Sequence, residues 1–270
     1  MDVKKIVWDA LRYPLSDWKK VLIYGFIGLF TTTAVFRGFL ALNGLTDPYL
    51  IAFLVFIELM VSIYFTGYFL RIIKTSLLGM QKLPQFNSIL EMLSDGVKVF
   101  LVGIVFMIPI ILVIIVFTVL SSTALQIIVH QALLNGFNLQ NLIGVLMSLG
   151  VGIGFLYAMF YIIVILPIFI VSLVNMANNN DKLVAAFEFN EIYKKIGHIG
   201  WVNLIIWYLL TGIIFLSILG VIGTLIIVIF SLINNIDVGG LLISVVLIPY
   251  LYMYFARSAA LMYLNNKKME

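Results

Sequence analysis

Glu58 is the residue in this chain whose placement is hardest to explain as decoration. It stands near the middle of an apolar stretch, where a charged group without a partner costs at least about 2.5 to 3.5 kcal/mol. Arg37 lies in the preceding apolar stretch, and measured from the turn between the two their depths differ by roughly 6 Å at 1.5 Å per residue. An Arg37–Glu58 pair across the hairpin would lower the cost of both charges. Structurally such a pair fixes hairpin geometry. Functionally, Glu58 would be a proton or cation site.

Other residues offer less. Among Trp8, Lys20, Lys98, Lys194 and Arg257, each beside an apolar run, the chemistry is that of headgroup anchoring, with the Arg257 stem snorkelling past Tyr254 and Phe255. His130 and His198 fall on opposite faces of the topology derived below, which argues against a shared metal. The chain has no cysteine, so disulfides, thiolate metal sites and a cysteine nucleophile are excluded. Gly150, Gly152 and Gly154 lack the strand and lysine of a phosphate loop. They, with Gly25 and Gly28, are better suited to close helix packing. No Ser-His-Asp set or paired carboxylate emerges, so the expectation is no enzyme, no metal and no cofactor.

What must position these residues is a set of membrane-spanning helices. Of 270 residues 63% are hydrophobic and 10% charged, against roughly 45 to 50% and 25% in soluble domains. Six stretches reach the ~20 apolar residues that cross a bilayer. They run over 21–42, 49–73, 99–120, 142–176, 201–233 and 241–263, with eight spans as the alternative count. The fourth and fifth exceed one membrane thickness and must tilt, bend or break. Pro167, Gly220 with Gly223, and Pro249 offer the break points. The fold class expected is all-α, a single polytopic bundle over residues 1–270.

Orientation follows from the basic residues. Of the 16 Lys and Arg residues, only Arg37 falls in the outer half if the N-terminus is inside. Both termini are then cytoplasmic, in the cell membrane. The net charge of +4 becomes a topology signal rather than a nucleic-acid footprint, so the expected partners are lipids, with a protein partner or a second copy left open.

A cytoplasmic amphipathic helix precedes each odd-numbered span, over 3–14, 86–97 and 182–196. The junctions resemble one another: Ser16-Asp17-x-x-Lys20, Ser94-Asp95-x-x-Lys98 and Asn190-Glu191-x-x-Lys194. Each permits an i,i+3 ion pair at the foot of a span. The repeat unit is a surface helix plus a hairpin.

Further short patterns are Ala10-x-x-Tyr13-Pro14-x-x-Asp17, Gly67-Tyr68 with Arg71, and Leu83-Pro84. With these the chain resembles the archaeal membrane family called domain of unknown function 4013 over nearly its whole length. More distantly, the six-span layout is similar to the membrane region of some glycerophosphodiester phosphodiesterases. Those enzymes carry their catalytic residues in a separate soluble domain, so the resemblance implies a fold and no activity. The functional expectation is a non-enzymatic protein supporting membrane organisation or a membrane complex. A small-solute or lipid permease using Glu58 is the alternative.

Overall fold

A computed structural model describes residues 2–31, 47–135, 154 and 156–264, without the side chains of 116–135. Arg37 with residues 32–42 of the first span, residues 142–153 of the fourth, Gly150 and Gly152 among them, and the C-terminal tail lie outside this set.

The helices start where their caps say they should. Asp2 accepts from the Lys5 amide and opens α1, Val3–Arg12, which buries Ile6, Val7 and Ala10 and continues as a 3-10 turn, Tyr13–Ser16. Asp17 then caps α2, Trp18–Leu29, at the Lys20 amide. Asp47 accepts from the Tyr49 amide and Pro48 takes the first helical position of α3, Pro48–Leu77. Both choices satisfy or avoid the orphan donors of a helix start.

After a loop over residues 79–88, α4 runs unbroken over Ile89–Asn135. This corrects the expectation at 86–97: the second surface segment and the third span are one helix. On this helix Ile89 and Leu90 are exposed while Met92 is buried. The third surface segment does stand apart. A 3-10 turn, Leu183–Ala186, leads to α6, Phe189–Ile199. It ends at Gly200, whose φ of 83° suits a residue without Cβ.

α5 (Leu156–Asn178), α7 (Trp201–Leu232) and α8 (Ile236–Leu264) complete the path. Of the break points expected, two act through π-turns. Pro167 follows a π-turn at Tyr161–Ile165, and Pro249 follows one at Ile243–Leu247. In each case the residue four before the proline, Ile163 or Val245, is at the centre of the turn. A proline ring clashes with the carbonyl at that position and offers it no N–H, and the wider turn moves it aside. Gly220 and Gly223 break nothing, since α7 is continuous.

Five of these helices, α3, α4 up to Ile115, α5, α7 and α8, are long and apolar enough to cross a membrane. Among the described residues there is no strand. The protein is an all-α, multi-pass membrane protein.

Two compact units divide the chain. Residues 103–169 form one. Inside it Tyr161 donates to the Phe106 carbonyl (3.1 Å) and Phe106 meets Phe169 edge-on. The other unit, 1–102 with 170–270, holds α1, α2, α3, the 79–88 loop, α6, α7 and α8. Its helices meet at glycines. A Cβ on Gly67 would lie 1.9 Å from the Met92 carbonyl oxygen, and one on Gly96 would lie 1.8 Å from that of Ile63. The α3–α4 contact is thus reciprocal. Gly25 of α2 likewise faces the carbonyl of Val245, at 1.8 Å from a hypothetical Cβ, the carbonyl that Pro249 cannot serve through its own nitrogen.

Candidate functional site

The polar chemistry of this unit gathers around the 79–88 loop, which joins α3 to α4. A loop at the foot of a bundle carries backbone carbonyls that need donors. Here side chains from four elements supply them. Arg257 Nη1 of α8 donates to Met80 O (2.8 Å), Tyr13 Oη to Lys82 O (3.2 Å), Lys20 Nζ of α2 to Leu83 O (2.7 Å) and Tyr68 Oη of α3 to Pro84 O (3.0 Å). Arg71 Nη1, also of α3, reaches Gln85 O, Asn87 O and Asn87 Oδ1. Leu83 is buried beneath. Burial pushes the Tyr13 phenol above its ordinary range, against the opposing effect of the Thr75 and Ser76 side chains and of Arg257, so it remains a donor at neutral pH.

Ion pairs tighten the same end. Asp95, only 5% exposed, lies 2.6 Å from Lys74 and 3.6 Å from Lys98, and Lys74 also binds Asp181. Arg71 reaches Glu91 at 3.3 Å. Arg257 Nε holds Asp9 at 3.0 Å, with the guanidinium stacked over the Tyr13 ring. A cleft of about 740 Å³ opens beside the loop between Lys20, Arg71, Lys74 and Glu91.

This geometry sorts the expected anchors. Arg257 is 3% exposed, and its Nε and Nη1 are engaged inside the protein, so the expectation that it snorkels to headgroups is corrected. Lys20 and Lys98 are committed to Asp17 and Asp95. Trp8 and Lys194 are exposed, and Arg12 sits over the Trp8 ring. Of the three i,i+3 pairs expected, Asp17–Lys20 (3.2 Å) and Asp95–Lys98 form. Among the described residues no Glu191–Lys194 pair forms. The neighbouring Glu191 side chain instead raises the Glu188 carboxyl above its usual range.

Glu58 is half-buried in α3. No described residue lies within ion-pair distance of it, and Arg37 lies outside the described residues. The described residues contain no group of three His, Asp or Glu side chains able to hold a metal.

The family described as a protein of unknown function (DUF4013) matches residues 50–229. The chain belongs to this family. The DUF4013 match takes in Gly67, Tyr68, Arg71, Leu83 and Pro84, hence the loop and the α3–α4 contact, whereas Tyr13, Lys20 and Arg257 fall outside it. No curated protein and no solved structure matches the chain.

The sequence carries no signal for the carbonyl clamp. In it, Tyr13, Tyr68 and the Leu83-Pro84 pair belong to a family resemblance, and Arg71 adds a basic flank to that. Their partners are 14 to 69 residues away in sequence, and a side chain that donates to a backbone carbonyl requires no particular residue type opposite it.

Proposed function

We propose that the chain is a non-enzymatic protein of the cell membrane, with both termini cytoplasmic, that supports membrane organisation or a membrane complex through its helix surfaces. The observation that carries this reading is the contrast between its polar and apolar groups. The polar side chains around the 79–88 loop are spent on carbonyls and carboxylates of the same chain. The long helices, by contrast, present large apolar side chains outward. Little of α7 is buried, and Val202, Leu216 and Val221 are all more than 60% exposed. Such surface suits lipid or a partner helix, where association comes from packing.

A permease reading has one observation in its favour, the half-buried Glu58 on an apolar helix. Proteoliposomes decide between them. Vesicles bearing the parent chain should hold an imposed proton or sodium gradient as well as empty vesicles do, with Glu58→Gln indistinguishable. Photo-crosslinkers at Leu216 and Val221 should give discrete protein adducts in native membranes. A gradient that collapses with the parent and survives with Glu58→Gln would replace the scaffold by the permease.

A further inference from the structure

A second cleft of about 750 Å³ lies between α1 and α7, on the surface of the same unit and outside the clamp. That size is within the range of about 300–1,000 Å³ typical of small-molecule sites. One wall is the stripe Val3, Val7 and Leu11 of α1, spaced four residues apart so that all three share a face. The other is Leu210 and Ile214 of α7, at the same spacing. Lys4, Lys5 and Trp8 stand at its edge together with Asp2. Asp2 spends an oxygen on capping the Lys5 amide. Both lysines are exposed and Trp8 is 58% exposed.

From this geometry we propose that the cleft holds one acyl chain of an anionic phospholipid, with the phosphate at Lys4 and Lys5. The walls are hydrocarbon on both sides, which matches a chain and not a free anion. The edge combines two ammonium groups with an indole, the pairing that favours the headgroup level. α1 is also where a lipid would be gripped rather than merely touched. Its inner face packs through Val7 and Ala10 on Leu247, Leu251 and Tyr254 of α8, and Asp9 ties it to Arg257. The cleft is therefore a fixed shape between two held helices. The proposal is independent of the scaffold and permease readings, since either kind of protein could carry such a lipid.

Native mass spectrometry of detergent-purified protein, mixed with equal amounts of phosphatidylglycerol and phosphatidylcholine of the same chains, tests it. A lysine near an anionic lipid contributes about a fivefold preference. The parent should retain phosphatidylglycerol at least several-fold over phosphatidylcholine, and Lys4→Gln with Lys5→Gln should bring the ratio near unity. Leu210→Trp, which fills the space from the α7 wall, should remove the retained lipid. Brominated-chain phosphatidylglycerol should quench Trp8 fluorescence in the parent, assigned against Trp8→Phe, and this readout needs no variant that alters packing. Equal retention of the two lipids by the parent, a preference that survives the double lysine change, or displacement of the lipid by inorganic phosphate would overturn the proposal.

Discussion

Asp9 and Arg257 show how one ion pair can hold a surface helix in place. Arg257 is buried and Asp9 is half-exposed, so the two partners are not equivalent. Losing Asp9 leaves a guanidinium with a carbonyl but no counter-charge, and an unpaired buried charge is what makes broken pairs costly. Asp9→Asn should therefore destabilise the fold by about 1–3 kcal/mol, reduced from the fully buried case because water reaches Asp9. In an Arg257→Met background the same change should cost almost nothing. Chemical unfolding in micelles reads the cycle, and equal costs in both backgrounds would show that the pair contributes no coupling. The sequence had marked Arg257 as an outward anchor because it weighs a residue's neighbours along the chain. It cannot show that a residue 248 positions earlier supplies the carboxylate. Asp17 is legible in the sequence, since its partner is three residues away. Burial works to raise its carboxyl, but the Lys20 side chain, the Lys20 amide and the Lys20 charge together outweigh it and hold the group below its ordinary range. A depressed carboxylate stabilises the fold above its unfolded pKa and loses that contribution as pH falls through the folded value. Unfolding midpoints followed downward from pH 5 should thus decline less steeply in Asp17→Asn than in the parent. Parallel declines would remove Asp17 from the acid response.

At the scale of elements, the tightest statement is the glycine contact between α3 and α4. The Met92 and Ile63 carbonyl oxygens are backbone atoms, so neither can swing away from an added methyl. Gly67→Ala or Gly96→Ala must move whole helices apart, an overpacking that costs about 1–3 kcal/mol or more. Gly212 of α7 is the control, because a Cβ there meets nothing within 4 Å, and alanine in a helix interior is favoured over glycine by up to about 1 kcal/mol. Thermal unfolding should then place Gly96→Ala below the parent and Gly212→Ala at or above it. A neutral Gly96→Ala would mean that the helices do not meet as closely as described. The sequence pointed to Gly25 as a close-packing residue and the structure agrees, yet it gave no such role to Gly67 or Gly96. The difference is physical. A small residue permits approach, but only the partner's path decides whether approach happens, and lipid-facing and helix-facing stretches are equally apolar. For the same reason the apolar runs located α3, α7 and α8 well, while the continuity of α4 through 86–97 could not be read from them. Asn87, Glu91 and Asp95 meet Arg71 and Lys74 of α3, partners that no pattern along the chain reveals.

For the whole molecule, the question is which ends of the helices share a side of the membrane. With no water in the hydrocarbon core, a peptide group there must be satisfied inside the chain, which fixes helices as the crossing elements but not their direction. Direction comes from charge. α3 starts at Asp47 and delivers the chain to Lys82, and α7 starts beyond Lys194 and Gly200 and delivers it to the turn at Asn234. If basic flanks mark the cytoplasm, Lys82 and Lys194 lie together there, and Asn234 lies opposite. The absence of cysteine makes this simple to measure, because each substitution introduces the only thiol. In right-side-out vesicles an impermeant maleimide should label Asn234→Cys at once. Lys82→Cys and Lys194→Cys should stay unlabelled until the vesicles are opened, and then both should react. Labelling Lys82→Cys and Lys194→Cys from opposite sides would mean an odd number of crossings between them, and with it the loss of the paired-hairpin topology. Labelling both from outside would keep the hairpins and invert the molecule, leaving the clamp at the 79–88 loop intact but facing away from the cytoplasm.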